Sequence, residues 1–341
     1  MTVLQILYAD TFGSHIGKHS ERLMYTQGKT TLAQAPLMHL QEVVIASRGV
    51  SISADAIEEC CDRGIPIYMI DGLGTPYAAI YSPGLMGTVL TRRQQLTAYY
   101  DGRGVEIGIA IAAAKINNQV ATLKYVAKFR KESDPAAYEL LRDAAADAAA
   151  QADKLNGLRG MSLDDLRVYL MAFEANAAVH YWGALRTIIP EHYGWTARIT
   201  RGATDPVNSL LNYGYGFLRL RVERALHLAG LDMFGGYIHA DRPGKQSLAL
   251  DMMEEWRTIA VDRLVIGLIN RNYIIEMNDF GMLEEDVKRS FAKKLREQME
   301  AVVRVGEDKV AIGIMIQKQA RKLAAHLRGE TTAYLPYRAT W

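Results

Sequence analysis

Residues 82–87 read SPGLMG. A proline and two glycines within six residues interrupt any helix or strand, so the segment reads as a linker. The two sides of it differ in hydrophobic period. Before it stand TVLQILY, HIGKHSERLMYTQ, TTLAQAPL and EVVIAS, short apolar runs separated by Gly, Ser and Asp turns, which read as strands. SADAIEECCDRG reads as one helix, with Ser53 as N-cap and Gly64 as its stop. IPIYMIDGLGTPYAAIY then reads as a hairpin around Asp71, Gly72, Leu73 and Gly74. Its GLG triplet lacks the third glycine and the following helix of a dinucleotide loop.

After the linker the period becomes helical. It runs through TRRQQLTAYY, GIAIAAAKINNQVATLKYVAKFR, AAYELLRDAAADAAAQADKL, SLDDLRVYLMAFEANAAVHYWGALRTII and DPVNSLLNYGYGFLRLRVERALHLAG. It continues in SLALDMMEEWRTIAVDRLVIGLIN, EDVKRSFAKKLREQMEAVV and AIGIMIQKQARKLAAHL. The alanine-rich stretch 142–152 reads as a packed helix. The expectation is an α+β chain of two domains, a small β-rich one over 1–81 and a large all-α one over 88–341.

The bulk numbers fit such a chain. Its 341 residues suffice for two cores, and 49% hydrophobic with 23% charged residues is ordinary for a soluble globular protein. No apolar run approaches the ~20 residues of a membrane span, and MTVLQILYADTFG, without a basic n-region or a small-residue cleavage site, does not read as an export signal. The adjacent cysteines Cys60 and Cys61 cannot form an ordinary disulfide or a zinc site, and fit a reducing cytoplasm. The net charge is +2. Residues 1–85 carry a balance of −3 and the remainder +5, so a polyanion site belongs to the helical part.

Three segments of the helical part carry candidate chemistry. In GYIHADRPGKQSLALDMMEEWR (236–257), His239 ends an apolar run, a basic Pro-Gly loop follows, and a helix opens near Ser247. Asp251, Glu254 and Glu255 then lie at i, i+3 and i+4 on one helix face. Imidazole with carboxylates is a ligand set for Mn²⁺, Mg²⁺ or Zn²⁺; the plainer alternative is a solvated acidic first turn that complements the helix dipole. Glu174, within YLMAFEANAAVHYWGAL (169–185), sits in a helix apolar almost all round, where a carboxylate needs a cation, either a metal or an arginine. His180, His227, His15 and His19 read as structural or surface residues. RITRGATDPVNSLLNYGYGFLRLRVER (198–224) mixes Arg198, Arg201, Asn208, Asn212, Tyr213, Tyr215, Arg219, Arg221 and Arg224, a set suited to phosphate and base contacts or to a solvated face.

Together the strings LYADTFGSHIGKHSERL, AAAKINNQ, DPVNSLLNYGYGFL, GYIHADRPGKQSLALDMMEEWR and YLPYRATW resemble the CRISPR-associated integrase of spacer acquisition, the Cas-one family. The resemblance implies a β-sandwich-like N-terminal domain used in dimerisation and an α-helical catalytic domain. It carries the family's metal ligands onto Glu174, His239 and Glu254, with Asp251 one turn earlier. The residue spacing leaves Glu254 and Glu255 both open as the ligand. The implied cofactor is Mg²⁺ or Mn²⁺, with DNA as partner (branched, double-stranded and CRISPR repeat DNA), together with a second copy and the small Cas-two subunit.

The chemistry expected on this reading is metal-assisted phosphoryl transfer. A DNA 3′-hydroxyl or water attacks a phosphodiester, and Asp251 orients a ligand or accepts a proton. Arg242 and Lys245, with Arg198, Arg201, Asn212, Tyr213 and Arg219, are the expected DNA contacts. The alternative is a non-catalytic helical DNA-binding assembly subunit, whose acidic cluster only caps a helix. A zinc hydrolase of small molecules lacks the H-E-x-x-H pattern.

Overall fold

The computed structural model describes residues 4–82, 89–305 and 308–339. Most of the expected linker, residues 83–87, lies outside them. The chain divides into two compact units, Met1–Met86 and Gly87–Trp341.

The first unit has two four-stranded sheets. One runs β1 (Ile6–Ala9), β5 (Glu42–Ile45), β7 (Ile67–Ile70) and β8 (Pro76–Ile80), parallel except for β8. The other runs β4 (Thr30–Pro36), β3 (Arg22–Gln27), β2 (His15–His19) and β6 (Ser51–Ile52). The HIGKHSERLMYTQ run is therefore two strands. Ser20, at φ +54°, makes the turn between them. Both sheets feed one core: Leu7 and Val43 from the first meet Ile16, Leu23 and Tyr25 from the second, and Cys60 of helix α1 (Ala54–Asp62) joins them. This is the sandwich-like arrangement expected. α1 ends at Gly64, φ +67°, as its sequence requires, but Ser53 stands at the N-cap without a side-chain cap bond. At the β7–β8 turn Asp71 accepts from the backbone N–H of Leu73 (2.9 Å) and Thr75 (2.8 Å), an Asx-type turn with no cradle for phosphate.

The second unit is built on α2 (Val89–Ala98), α3 (Gly102–Lys128), α4 (Pro135–Lys154), α5 (Leu163–Arg186) and α6 (Pro206–Leu228), followed by α7 (Ser247–Met253), α8 (Arg263–Ile269), α9 (Glu285–Glu300) and α10 (Ile312–Leu327). α3, α4 and α5 pack on one another, and the buried Ala144, Ala145 and Ala148 of α4 give the others room to approach. Asp205 caps α6 by accepting from the Asn208 N–H at 2.8 Å, with Pro206 in the first turn. The unit is not all-α. Val302–Val305 and Asp308–Ala311 pair as an antiparallel hairpin, β9 and β10, where the sequence suggested that the α9 helix ran on; the β-branched valines favour a strand.

A second departure shapes the site. The helix expected to run on from Ser247 stops at Met253. Glu254 and Trp256 bond back three residues, to Asp251 (3.1 Å) and Met253 (2.9 Å), and a π-helical segment follows over Thr258–Asp262 before α8. Trp256 is fully buried and stacks on Tyr337 at 4.8 Å. The π segment packs against α6 at Gly214, where a Cβ would lie 2.5 Å from Val261 Cγ1. Among the described residues no helix is long and apolar enough to cross a membrane.

Candidate active site

Glu174 lies on the buried side of α5, between Leu170 and Ala177, both at 0% exposure. The helix is less apolar in its surroundings than its sequence suggested, because Met171 and Val179 face outward. Glu254 arrives from the turn after α7. The two carboxylates meet at Lys115 of α3, whose Nζ is 3.2 Å from Glu174 Oε2 and 3.0 Å from Glu254 Oε2. Arg257 adds a second cation, its Nε donating to Glu254 Oε2 at 2.9 Å. Burial alone would raise both carboxyls. At Glu254 the attraction of Arg257, Lys115 and His239 outweighs burial and holds the group at about 2. At Glu174 burial wins and the carboxyl is pushed up. Burial pulls Lys115 down, but the two carboxylates raise it overall. Glu174 Oε1 is buried without a hydrogen-bond partner.

Asp251 has a different task from the other acids. Fully buried, it accepts from the backbone N–H of Tyr237 (2.6 Å) and Ile238 (3.0 Å) through Oδ2, and of His239 (3.0 Å) through Oδ1. Its Oδ1 also stands 2.7 Å from His239 Nδ1. With the proton on Nδ1, the Nε2 lone pair is left for an external partner. Gly236 permits this wrapping, since a Cβ there would lie 2.7 Å from Ser247 and 2.8 Å from Asp251 Oδ2. His239 is near enough to act electrostatically on Glu174 and Glu254 alike.

Glu255 turns away. It accepts from the Tyr334 hydroxyl, the Tyr337 N–H (2.8 Å) and Gln319 (3.3 Å), and burial pushes it up to about 7. The expectation that Asp251, Glu254 and Glu255 share a face is corrected: the helix breaks between them, and each acid enters a separate environment. Among the described residues, no three His, Cys, Asp or Glu side chains are arranged as a ready metal-ion cage. What Glu174, Glu254 and His239 form is a donor set of hard oxygens and an imidazole that suits Mg²⁺ or Mn²⁺. It includes one unpartnered buried oxygen, Glu174 Oε1, and Lys115 stands between the two carboxylates, so the donor chemistry, though not a ready cage, is of the kind a divalent ion takes.

The expected DNA contacts divide. Arg201 is exposed in the segment before α6; in the loop between His239 and α7, Arg242 is exposed and Lys245 partly so. Arg198 is engaged internally. It donates to Asn208 (3.0 Å) and Asn212 (2.6 Å) and lies over the rings of Trp182 and Tyr215. Arg219 donates to Glu223 and Gln246. Tyr213 is a correction: at 4% exposure it packs toward Phe291 in the core and presents no surface to DNA. Sequence reasoning missed Lys115 and Arg257, which hold the carboxylates. It also missed Asp262, which accepts from Tyr181 (2.9 Å) and Tyr215 (2.5 Å) beneath Arg257. The signal available for Lys115 was its place in AAAKINNQ, three residues before the buried Asn118.

The family model described as CRISPR associated protein Cas1 matches residues 7–298. The CRISPR-associated endonuclease Cas1 1 of Archaeoglobus fulgidus is 33% identical over 335 residues, covering 95% of this chain and 96% of that protein. Among solved structures, a casposase bound to integration product superposes with a TM-score of 0.81 at 20% identity, covering 98% of this chain and 95% of the casposase. A chain of a Cas6-RT-Cas1–Cas2 complex superposes at 0.78 with 19% identity, covering all of this chain and 37% of that one.

Proposed function

This chain belongs to the CRISPR-associated Cas1 family, and from that premise we propose that it is a divalent-metal-dependent DNA endonuclease and integrase of CRISPR adaptation, joining new spacer DNA to the array. The observation that carries the reading is the convergence of Glu174 and Glu254, from separate segments, on one cationic position beside His239. Its relative in Archaeoglobus is named an endonuclease, and the casposase of the same fold is bound to an integration product.

Glu174, Glu254 and the His239 Nε2 would hold Mg²⁺ or Mn²⁺. The bound ion supplies a Lewis acid that polarises a phosphodiester and offsets charge on its oxygens. Asp251 fixes the His239 tautomer and ring, so that its lone pair points outward. Arg257 keeps Glu254 ionised. The exposed Arg201 and Arg242 and the partly exposed Lys245 would meet backbone phosphates, each contact adding roughly 0.9 to the logarithmic salt slope on duplex DNA. The attacking group is a DNA 3′-hydroxyl in joining and water in cleavage; no side-chain nucleophile is needed.

The partners follow from the same premise: branched DNA, a second copy of this chain, and the small Cas2 subunit, which is present in the complex that shares this fold. The exposed Phe12, Met38, Leu73 and Tyr77 of the first unit support its use as a dimer surface.

The test pairs two assays on one branched DNA. Glu174→Ala should lose cleavage and joining with Mn²⁺ by several orders of magnitude, since the ion acts on the transition state. In chelator it should bind the DNA at least as well as the parent, because a carboxylate that repels phosphates has gone. Cleavage by the variant at the parent rate would overturn the assignment of the site to Glu174, and a parent that neither cleaves nor joins with Mn²⁺ would overturn the enzymatic reading and leave a DNA-binding assembly subunit.

A further inference from the structure

Lys115 is drawn inward, with 18% of its side chain still exposed. Its neighbours Ala112, Ala114 and Ile116 are fully buried, and its ammonium reaches carboxylates brought in from α5 and from the turn after α7. A buried ion cluster kept only for stability satisfies its remaining acceptors, because each orphaned one is expensive. Here Glu174 Oε1 is left without a partner. The ammonium also sits between the Oε2 atoms of two residues that would hold a divalent ion. An ammonium and a divalent ion held by the same two carboxylates would repel one another, and more strongly here than across most surface pairs, because the site is largely shielded from water.

Resting on the metal-dependent reading above, we propose that Lys115 is a displaceable internal counter-ion. Its ammonium holds Glu174 and Glu254 together in the metal-free protein and leaves when the divalent ion enters. Metal uptake is then an exchange rather than an addition. The carboxylates stay assembled before the ion arrives, and the affinity for the ion is weakened by the ion pairs given up. Lys115 is on this account a positioning residue, separate from the ligands.

The experiment measures Mn²⁺ affinity by titration calorimetry, and thermal unfolding with and without Mn²⁺, for the full chain and for Lys115→Met and Lys115→Gln. Both variants should melt lower than the parent in chelator, gain more from saturating Mn²⁺, and bind it at least tenfold more tightly. Mn²⁺ affinity equal to or weaker than that of the parent would overturn the proposal and make Lys115 a fixed partner of the loaded site. Should neither variant fold in chelator, the parent still decides. Acetylation of Lys115, followed by mass spectrometry, should rise several-fold when Mn²⁺ is added; unchanged reactivity overturns exchange. The Glu174→Ala variant separates the two ideas. If it binds Mn²⁺ like the parent, the metal site itself is misplaced, whatever Lys115 does.

Discussion

Asp262 carries a consequence for pH. Burial pushes its carboxyl up to about 6, although Tyr215 and Tyr181 donate to it and Arg198 and Arg257 lie close. The unfolded chain releases this proton near pH 4, while the folded chain keeps it until about 6. Between those values the folded state binds more protons, so this group's contribution to stability falls as pH rises, by roughly 3 kcal/mol for a shift of about two units. Asp262→Asn cannot titrate and loses one tyrosine acceptor. It should be less stable than the parent at pH 4, with the gap closing by that amount by pH 7. Urea unfolding at both values checks this, and a constant gap would mean that Asp262 is ionised throughout. Such residues mark the limit of reading a sequence. The family resemblance proposes Glu174, His239 and Glu254, and the fold brings Glu174 and Glu254 to one cation, whereas Asp262 and Lys115 look like ordinary surface charges until the fold draws them inward. Glu254 could not be told from Glu255 because both fit an unbroken helix, and the helix is broken at that point.

The break is a property of two elements together. The apolar pattern after Ser247 is helical throughout, so periodicity reads one long helix; what interrupts it is packing, with Trp256 driven into the core and the π segment pressed on α6. Gly214 permits that contact. Gly214→Ala should gain up to about 1 kcal/mol of helix propensity and lose about 1–3 kcal/mol to overpacking. The expected net is a loss of stability. Val261→Ala removes the opposing methyls, so the double variant should be more stable than the sum of the single changes predicts, by about 1 kcal/mol or more. Strict additivity in chemical denaturation would show that α6 and the π segment adjust independently.

At the scale of the molecule, the two-part division was legible because the hydrophobic period changes from two to 3.6 across the SPGLMG segment. The β9–β10 hairpin was not, since four residues of VVRV are too few to be told from the end of a helix. With its net charge of −3 and exposed apolar side chains, the first unit should join a second copy, so light scattering at micromolar concentration should give about twice the 38.0 kDa chain mass; a single-chain mass would rule the dimer out. The far end of the chain bears on the chemistry in another way. Tyr334 and Tyr337 are bonded to Glu255, Tyr337 stacks on Trp256, and the Ala339 N–H donates to Asn118 at 2.8 Å. The tail is thus stitched to the turn that presents Glu254. On the proposed function, a stop codon at Tyr334 should read in a genetic screen as a lesion of the catalytic centre.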